Sequence, residues 1–235
     1  MDNTRTPVLY IVGNYNIDLV MGTLPHWPAQ GTEMMLEHSA LRPGGSAGNC
    51  ALAAAAMQLP HCTVGCQGDD AFTPWLAAQF PGGSARWPQY PCETSLTVAI
   101  THPNKERSFL SNHGHITRLT AGDVLSQLPA AAGEGDIVLL CGTFLCTGLL
   151  SDYPQLLATL RQRGFTLAVD TGWPPQGWSD PLRHEVDRWL GDCDWLLLND
   201  VETQQLAARP TLAEAAAALA ARLSGSGGCV VKRGA

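Results

Sequence analysis

The stretch Val8–Asp18 reads VLYIVGNYNID. Five apolar residues closed by a glycine describe a short strand buried on both faces, because a strand with one wet face alternates apolar with polar side chains. Such a run belongs to a parallel sheet covered by helices. The next positions are largely polar: Asn14, Asn16 and Asp18 stand just beyond the strand's carboxyl end. In open parallel sheets that is where ligands bind.

Working outward, four later runs read in the same way: DIVLLC (Asp136–Cys141), FTLAV (Phe165–Val169), WLLL (Trp195–Leu198) and CVV (Cys229–Val231). Helical patterns lie between them. Ser151 is placed to cap a segment whose Leu156, Leu157 and Leu160 share a face, with Gly164 to close it. Thr211 and Glu214 form a capping-box pattern before AAAALAARL, which ends by Gly225. Alternating strands and helices predict an α/β fold, a mostly parallel sheet with helices on both faces. Glu93–Leu110 departs from this: TSLTVAI and ERSFL, separated by THPNK, predict a hairpin that pairs with part of Asp18–Ser39 as a small lid. The expected organisation is one domain over residues 1–235, with lid segments at about 18–40 and 93–111.

Composition narrows the function classes. The chain has 235 residues, a net charge of -7 and no basic run, which argues against a nucleic-acid partner, since phosphate backbones are held by clustered Lys and Arg. No apolar run approaches the roughly 20 residues that span a bilayer. The opening MDNTRTP lacks the basic and apolar regions of a secretory signal, so a cytoplasmic, reducing location is expected. Of the eight cysteines, Cys50, Cys141 and Cys229 fall within apolar patterns and read as core. His61, Cys62 and Cys66, or His113 and His115, lack the spacing of a metal motif.

The rim rule gathers further residues: Asp170 after FTLAV, Asn199 and Glu202 after WLLL, and Lys232 after CVV. Each has two readings. Asn16 and Asp18 suit the hydroxyls of a polyol, or a turn that bonds its own backbone. Gly44 and Gly45, in RPGGSAGNCALAAAAMQLP (Arg42–Pro60), admit either a ligand against the main chain or tight helix packing. Asn199 with Glu202 three residues on is also a plain helix start. Lys232 and Arg107 also suit a solvated surface. Neither a Walker loop nor a GxGxxG fingerprint is present.

Taken in order, GNYNID, PAQG, GGSAGN, VGCQGDD, ERSFL, VDTGW, WLLLNDVET and VVKRGA resemble the PfkB carbohydrate kinase family, over Val8–Gly234. The resemblance implies a ribokinase-like three-layer sandwich with a small β-lid. It also implies ATP-dependent phosphorylation of a hydroxymethyl group on a sugar or nucleoside. By it, Asn16 and Asp18 take the substrate hydroxyls, Gly44, Gly45 and Asn49 face the sugar, Arg107 reaches in from the lid, and Thr143 lies in a pocket-facing loop. Asn199 and Glu202 match the NxxE element, whose glutamate acts on Mg2+ through water. Lys232 and Asp170 fall near the nucleotide phosphates. The implied cofactors are ATP and Mg2+, with K+ in a complete protein, and the implied partner is a second copy joined through the lid.

One departure stands out. Family members continue past the VVKRGA strand to a GAGD-like segment that carries the catalytic aspartate, and this sequence ends at Ala235. The expectation is therefore a C-terminally incomplete chain, inactive alone, with no catalytic residue assigned. A non-catalytic sugar-binding or regulatory module is the alternative.

Overall fold

In the computed structural model, strand β1 (Leu9–Gly13) lies between two parallel neighbours, as a run buried on both faces requires. Residues 5–225 and 227–233 are described, so the last two residues of the VVKRGA motif lie outside them. After β1 come β2 (Asn16–Met21), β3 (Ser39–Gly44), α1 (Ser46–Ala56), β4 (His61–Val64), α2 (Thr73–Ala78), β5 (Leu96–Thr101) and β6 (Arg107–Ser111). The second half runs α3 (Ala121–Gln127), β7 (Ile137–Cys141), α4 (Thr147–Leu150), α5 (Tyr153–Gln162), β8 (Thr166–Asp170) and α6 (Asp180–Leu190). It continues with β9 (Trp195–Asn199), α7 (Asp200–Ala207), α8 (Leu212–Ala220) and β10 (Gly228–Lys232). None of the described helices is long and apolar enough to cross a membrane.

The main sheet has the order β10-β9-β8-β7-β1-β4, with every pair parallel. Alternation divides its side chains between two cores. Tyr10, Val12, Val138, Leu140, Leu167 and Val169 pack under α3 and α5–α8. Ile11, Leu139, Cys141 and Ala168 pack under α1 and α2 on the opposite face. Ala47, Gly48, Ala51 and Ala54 form the buried stripe of α1, and their small side chains let that helix lie close to β1 and β4. This is the predicted three-layer arrangement.

A separate sheet has the order β3-β2-β5-β6; β2 and β5 pair in parallel, and the outer pairs are antiparallel. The β5–β6 hairpin is the predicted one. The small sheet is wider than the expected segments, since β2 begins at Asn16 and β3 extends to Gly44.

Three local readings require correction. Strand β4 was not expected, because HCTV is four residues long and headed by a histidine, so it offers no apolar run. Helix α5 starts at Tyr153 with Asp152 at the N-cap and no side-chain cap, while Ser151 ends α4. Pro154 in the first turn already lacks an N–H and lessens the need for a cap. Helix α8 stops at Ala220, five residues before Gly225, and at its start Thr211 accepts the Glu214 N–H.

His115 fastens the backbone just before β5 to the β1–β2 connection. Its Nδ1 accepts the Ser95 N–H at 3.0 Å, which leaves Nε2–H to donate to the Tyr15 carbonyl at 3.0 Å. The ring is fully buried, and burial pushes its pKa down to about 4 from 6.5. A depressed histidine pKa means that the unfolded chain binds the proton first. This contribution is therefore complete above about pH 6.5 and lost as the pH falls toward 4, by roughly 3 kcal/mol at most. Thermal unfolding of wild type and His115→Asn between pH 4 and 7 checks this. The variant is expected to show a shallower acid slope, and equal slopes would remove His115 as the cause.

Candidate active site

At the carboxyl end of β1 the backbone turns into β2, and three side chains line up. Asn14 Nδ2 donates to Asn16 Oδ1 at 3.2 Å, and Asn16 Nδ2 donates to Asp18 Oδ1 at 2.8 Å. Asn14 Oδ1 accepts the N–H of Ser46, the first residue of α1. Strand alternation places Asn16 and Asp18 on one face of β2, and Thr97 lies beside Asp18 in register. Both asparagines are buried and Asp18 is half-buried. Burial raises the Asp18 pKa, and the Asn16 hydrogen bond opposes that rise. Asp18 Oδ2 has no partner among the described hydrogen bonds.

The glycine pair has a definite reason. Gly44 is in register with Asn16, and a Cβ on it would fall 2.1 Å from Asp18 Oδ2. Gly45 has φ +86°, and a Cβ there would fall 2.3 Å from the Asn14 carbonyl oxygen and 2.4 Å from Asn16 Oδ1. The missing side chains make room for the polar row itself. Asn49, in the first turn of α1, is exposed, and its N–H donates to the Gly45 carbonyl at 2.8 Å.

A second cluster occupies the carboxyl ends of β8, β9 and β10. Lys232 Nζ lies 2.5 Å from Asp170 Oδ2, bridging over the end of β9. Asn199 caps α7: its Oδ1 accepts the Glu202 N–H at 2.7 Å, and Glu202 Oε2 accepts the Asn199 N–H at 2.9 Å. The capping reading of this pair is thus realised in full, yet Glu202 Oε1 has no partner among the described bonds. Glu202 is buried, and its pKa is raised first by that burial and further by the Asp170 charge, against the Asn199 N–H and Lys232.

Register ties the two clusters to one rim. Gly13, Cys141 and Asp170 are aligned across β1, β7 and β8. Adjacent strands lie about 4.8 Å apart, so the start of the Asn14 row is about 10 Å from Asp170 and about 20 Å from β10.

Thr143 and Arg107 have partners of their own within the chain. Thr143 is buried, and its hydroxyl pairs with the Tyr153 hydroxyl at 2.9 Å. Arg107 heads β6 opposite Thr101, four positions from Ser111, which pairs with Thr97 at the level of Asp18. Its guanidinium lies over Phe109, 6.0 Å from the ring centroid.

Sequence reasoning missed the hydroxyl-bearing face of the small sheet. Thr97 and Ser111 line a cavity of about 230 Å³ with Asn16, His113, Phe144 and Thr147. The alternation within TSLTVAI and ERSFLS would have placed them on Asp18's face once pairing was known. The GDD motif, open to two readings, is a loop anchor: Asp70 accepts from the Thr94 hydroxyl and from the N–H groups of Thr94, Phe72 and Thr73, and those bonds hold its pKa down against burial.

Comparison with known proteins bears on the family and the fold. Residues 8–235 match the model of the pfkB family carbohydrate kinases. No curated protein matches the sequence. Among solved structures, Arabidopsis thaliana ribokinase complexed with ribose and ATP is 18% identical with TM-score 0.71, covering 97% of this chain and 72% of that one. Xylella fastidiosa fructokinase with bound ATP is 16% identical with TM-score 0.72, covering 98% and 73%. Burkholderia thailandensis nucleoside kinase in complex with inosine is 17% identical with TM-score 0.67, covering 97% and 70%. At such identities the structural likeness shows a shared fold.

Proposed function

This chain belongs to the pfkB family of carbohydrate kinases, and we propose that its site takes the γ-phosphoryl group of ATP to a hydroxymethyl group of a sugar or nucleoside. The observation that carries this reading is the shared rim. A carboxylate and amides suited to hydroxyls stand at one end, and a lysine with two carboxylates stands at the other. The separation suits two small molecules placed end to end.

The residues present fit a magnesium nucleotide. Lys232 offers a half-exposed cation for phosphate oxygens, and Glu202 keeps one carboxylate oxygen free for a water on the metal. ATP, when bound, supplies the transferable phosphoryl group, with Mg2+ offsetting its charge. Asp18, ionised, accepts hydrogen bonds from substrate hydroxyls, and Asn16 orients it. The lid sheet covers that end and keeps water from the acceptor hydroxyl. Holding the acceptor in one orientation is this chain's main contribution to rate, because phosphoryl transfer depends chiefly on positioning and electrostatics.

Calorimetric titration of the chain with ribose, fructose and inosine, and separately with ATP with and without Mg2+, tests the reading. One of the acceptors should bind, and ATP should bind better with Mg2+. Glu202→Gln retains an oxygen for the Asn199 N–H, so its Tm should move by no more than a few degrees. Its Mg2+-dependent ATP affinity should fall about 10-fold, the scale of one charge-assisted contact. Sugar or nucleoside binding with no response to ATP would favour the non-catalytic module. No binding of any acceptor would overturn both readings.

A further inference from the structure

We propose that Cys50 and Cys141 form a peroxide-reactive dithiol beneath the rim, and that its closure to a disulfide fixes α1 against β7 and hinders ligand entry. The two sulfurs lie 3.9 Å apart, with the Cys141 thiol donating to Cys50 Sγ. Cys50 follows Asn49 in α1, one turn beyond the Ser46 N–H that holds Asn14. Cys141 ends β7, in register with Gly13 and Asp170.

The pair is asymmetric in the way such chemistry needs. Cys50 is partly exposed, whereas Cys141 is buried within the core under α1. The hydrogen bond from Cys141 pushes the Cys50 thiol down to about 7; Lys232 assists, while burial and the Asp170 charge oppose. Cys141, holding the proton, is raised well above its ordinary value. The other cysteines behave differently: burial pushes Cys146 and Cys193 up to about 12, and Cys62, Cys66, Cys92 and Cys229 also rise. Cys50 is therefore the thiolate with access, and Cys141 is placed to resolve what it forms.

The steps balance with hydrogen peroxide as oxidant. The Cys50 thiolate attacks one peroxide oxygen and the O–O bond breaks, giving Cys50 sulfenic acid and hydroxide, which takes a proton to become water. The Cys141 sulfur then attacks Cys50 Sγ; the S–O bond breaks and the hydroxyl leaves with the Cys141 proton as a second water. Two thiols lose two electrons and one peroxide gains them.

The test is peptide mass spectrometry of the full chain, without reductant, after treatment with about one equivalent of hydrogen peroxide. The expected product is a Cys50–Cys141 cross-link, two hydrogens lighter and reversed by dithiothreitol. In Cys141→Ala and Cys141→Ser, both checked for folding by thermal unfolding, dimedone should instead capture Cys50 as its sulfenic acid. Iodoacetamide at pH 7 should label Cys50 about 10-fold faster than Cys229, from its larger thiolate fraction. Oxidised wild type should bind its sugar or nucleoside at least 10-fold more weakly than the reduced chain. Absence of both cross-link and dimedone adduct overturns the proposal, and a cross-link that leaves affinity unchanged overturns the closing of the site. The effect on ligand rests on the kinase reading, which fails separately if the reduced chain binds no acceptor.

Discussion

Asp18→Ala is expected to weaken sugar or nucleoside binding by about 100- to 10,000-fold. A carboxylate that accepts two substrate hydroxyls makes two charge-assisted bonds, each contributing about 1.5–3 kcal/mol. Asp18 is suited to that, since one of its oxygens takes the Asn16 amide at 2.8 Å and the other is unengaged within the described structure. Burial has raised its pKa, so the charge is held at some cost to the folded chain. Asp18→Asn, which retains an oxygen for the Asn16 amide, should consequently leave Tm nearly unchanged while lowering affinity almost as far. Binding should also weaken on acidification sooner than for an ordinary aspartate, because the folded pKa lies above 3.8. Titration calorimetry on both variants decides the matter. Wild-type affinity in Asp18→Ala would place the acceptor somewhere else on the molecule.

The second large effect concerns stability. Gly45→Ala must hold an alanine at φ +86° with its Cβ 2.3 Å from the Asn14 carbonyl oxygen. Positive φ costs roughly 1–2 kcal/mol for a residue with a Cβ. Relieving a clash with backbone costs about 1–3 kcal/mol more. A loss near 3–4 kcal/mol should lower Tm by roughly 10 °C for a domain of this size. Gly31→Ala is the control: φ is +79°, but nothing lies within 4 Å of the new Cβ. That variant should lose only the torsional part, about 1 kcal/mol. Equal losses in the two variants would mean that the close approach of α1 to the Asn14 row is not what selects glycine at position 45.

These contrasts show what the sequence displays and what it conceals. Val8–Val12 and the four later apolar runs announced five of the six main-sheet strands, because burial on both faces leaves an unbroken apolar signature. Strand β4 has no such signature, since His61 and Cys62 at its head are only partly buried at the sheet edge. The Asn14–Asn16–Asp18 row and the Asp170–Lys232 pair lie at strand ends and could be anticipated from the rim rule. Thr143 could not be resolved that way, because strand position says nothing about whether a hydroxyl turns toward Tyr153 or toward a ligand. The glycine pair was legible as a close approach, but what approaches it is a neighbouring carboxylate and amide, which only pairing register reveals.

The pairing of β1 sets a timetable for synthesis. Leu9 meets Ile137, 128 residues downstream, so a nascent chain leaving the ribosome carries β1, an interior strand of the main sheet, unpaired on one side until residue 137 has emerged. Translation at about 5–20 residues per second makes that interval roughly 6–26 seconds. During it an apolar strand remains open to the wrong partners, so yield in cells is expected to depend on elongation speed and on chaperones that shield such segments.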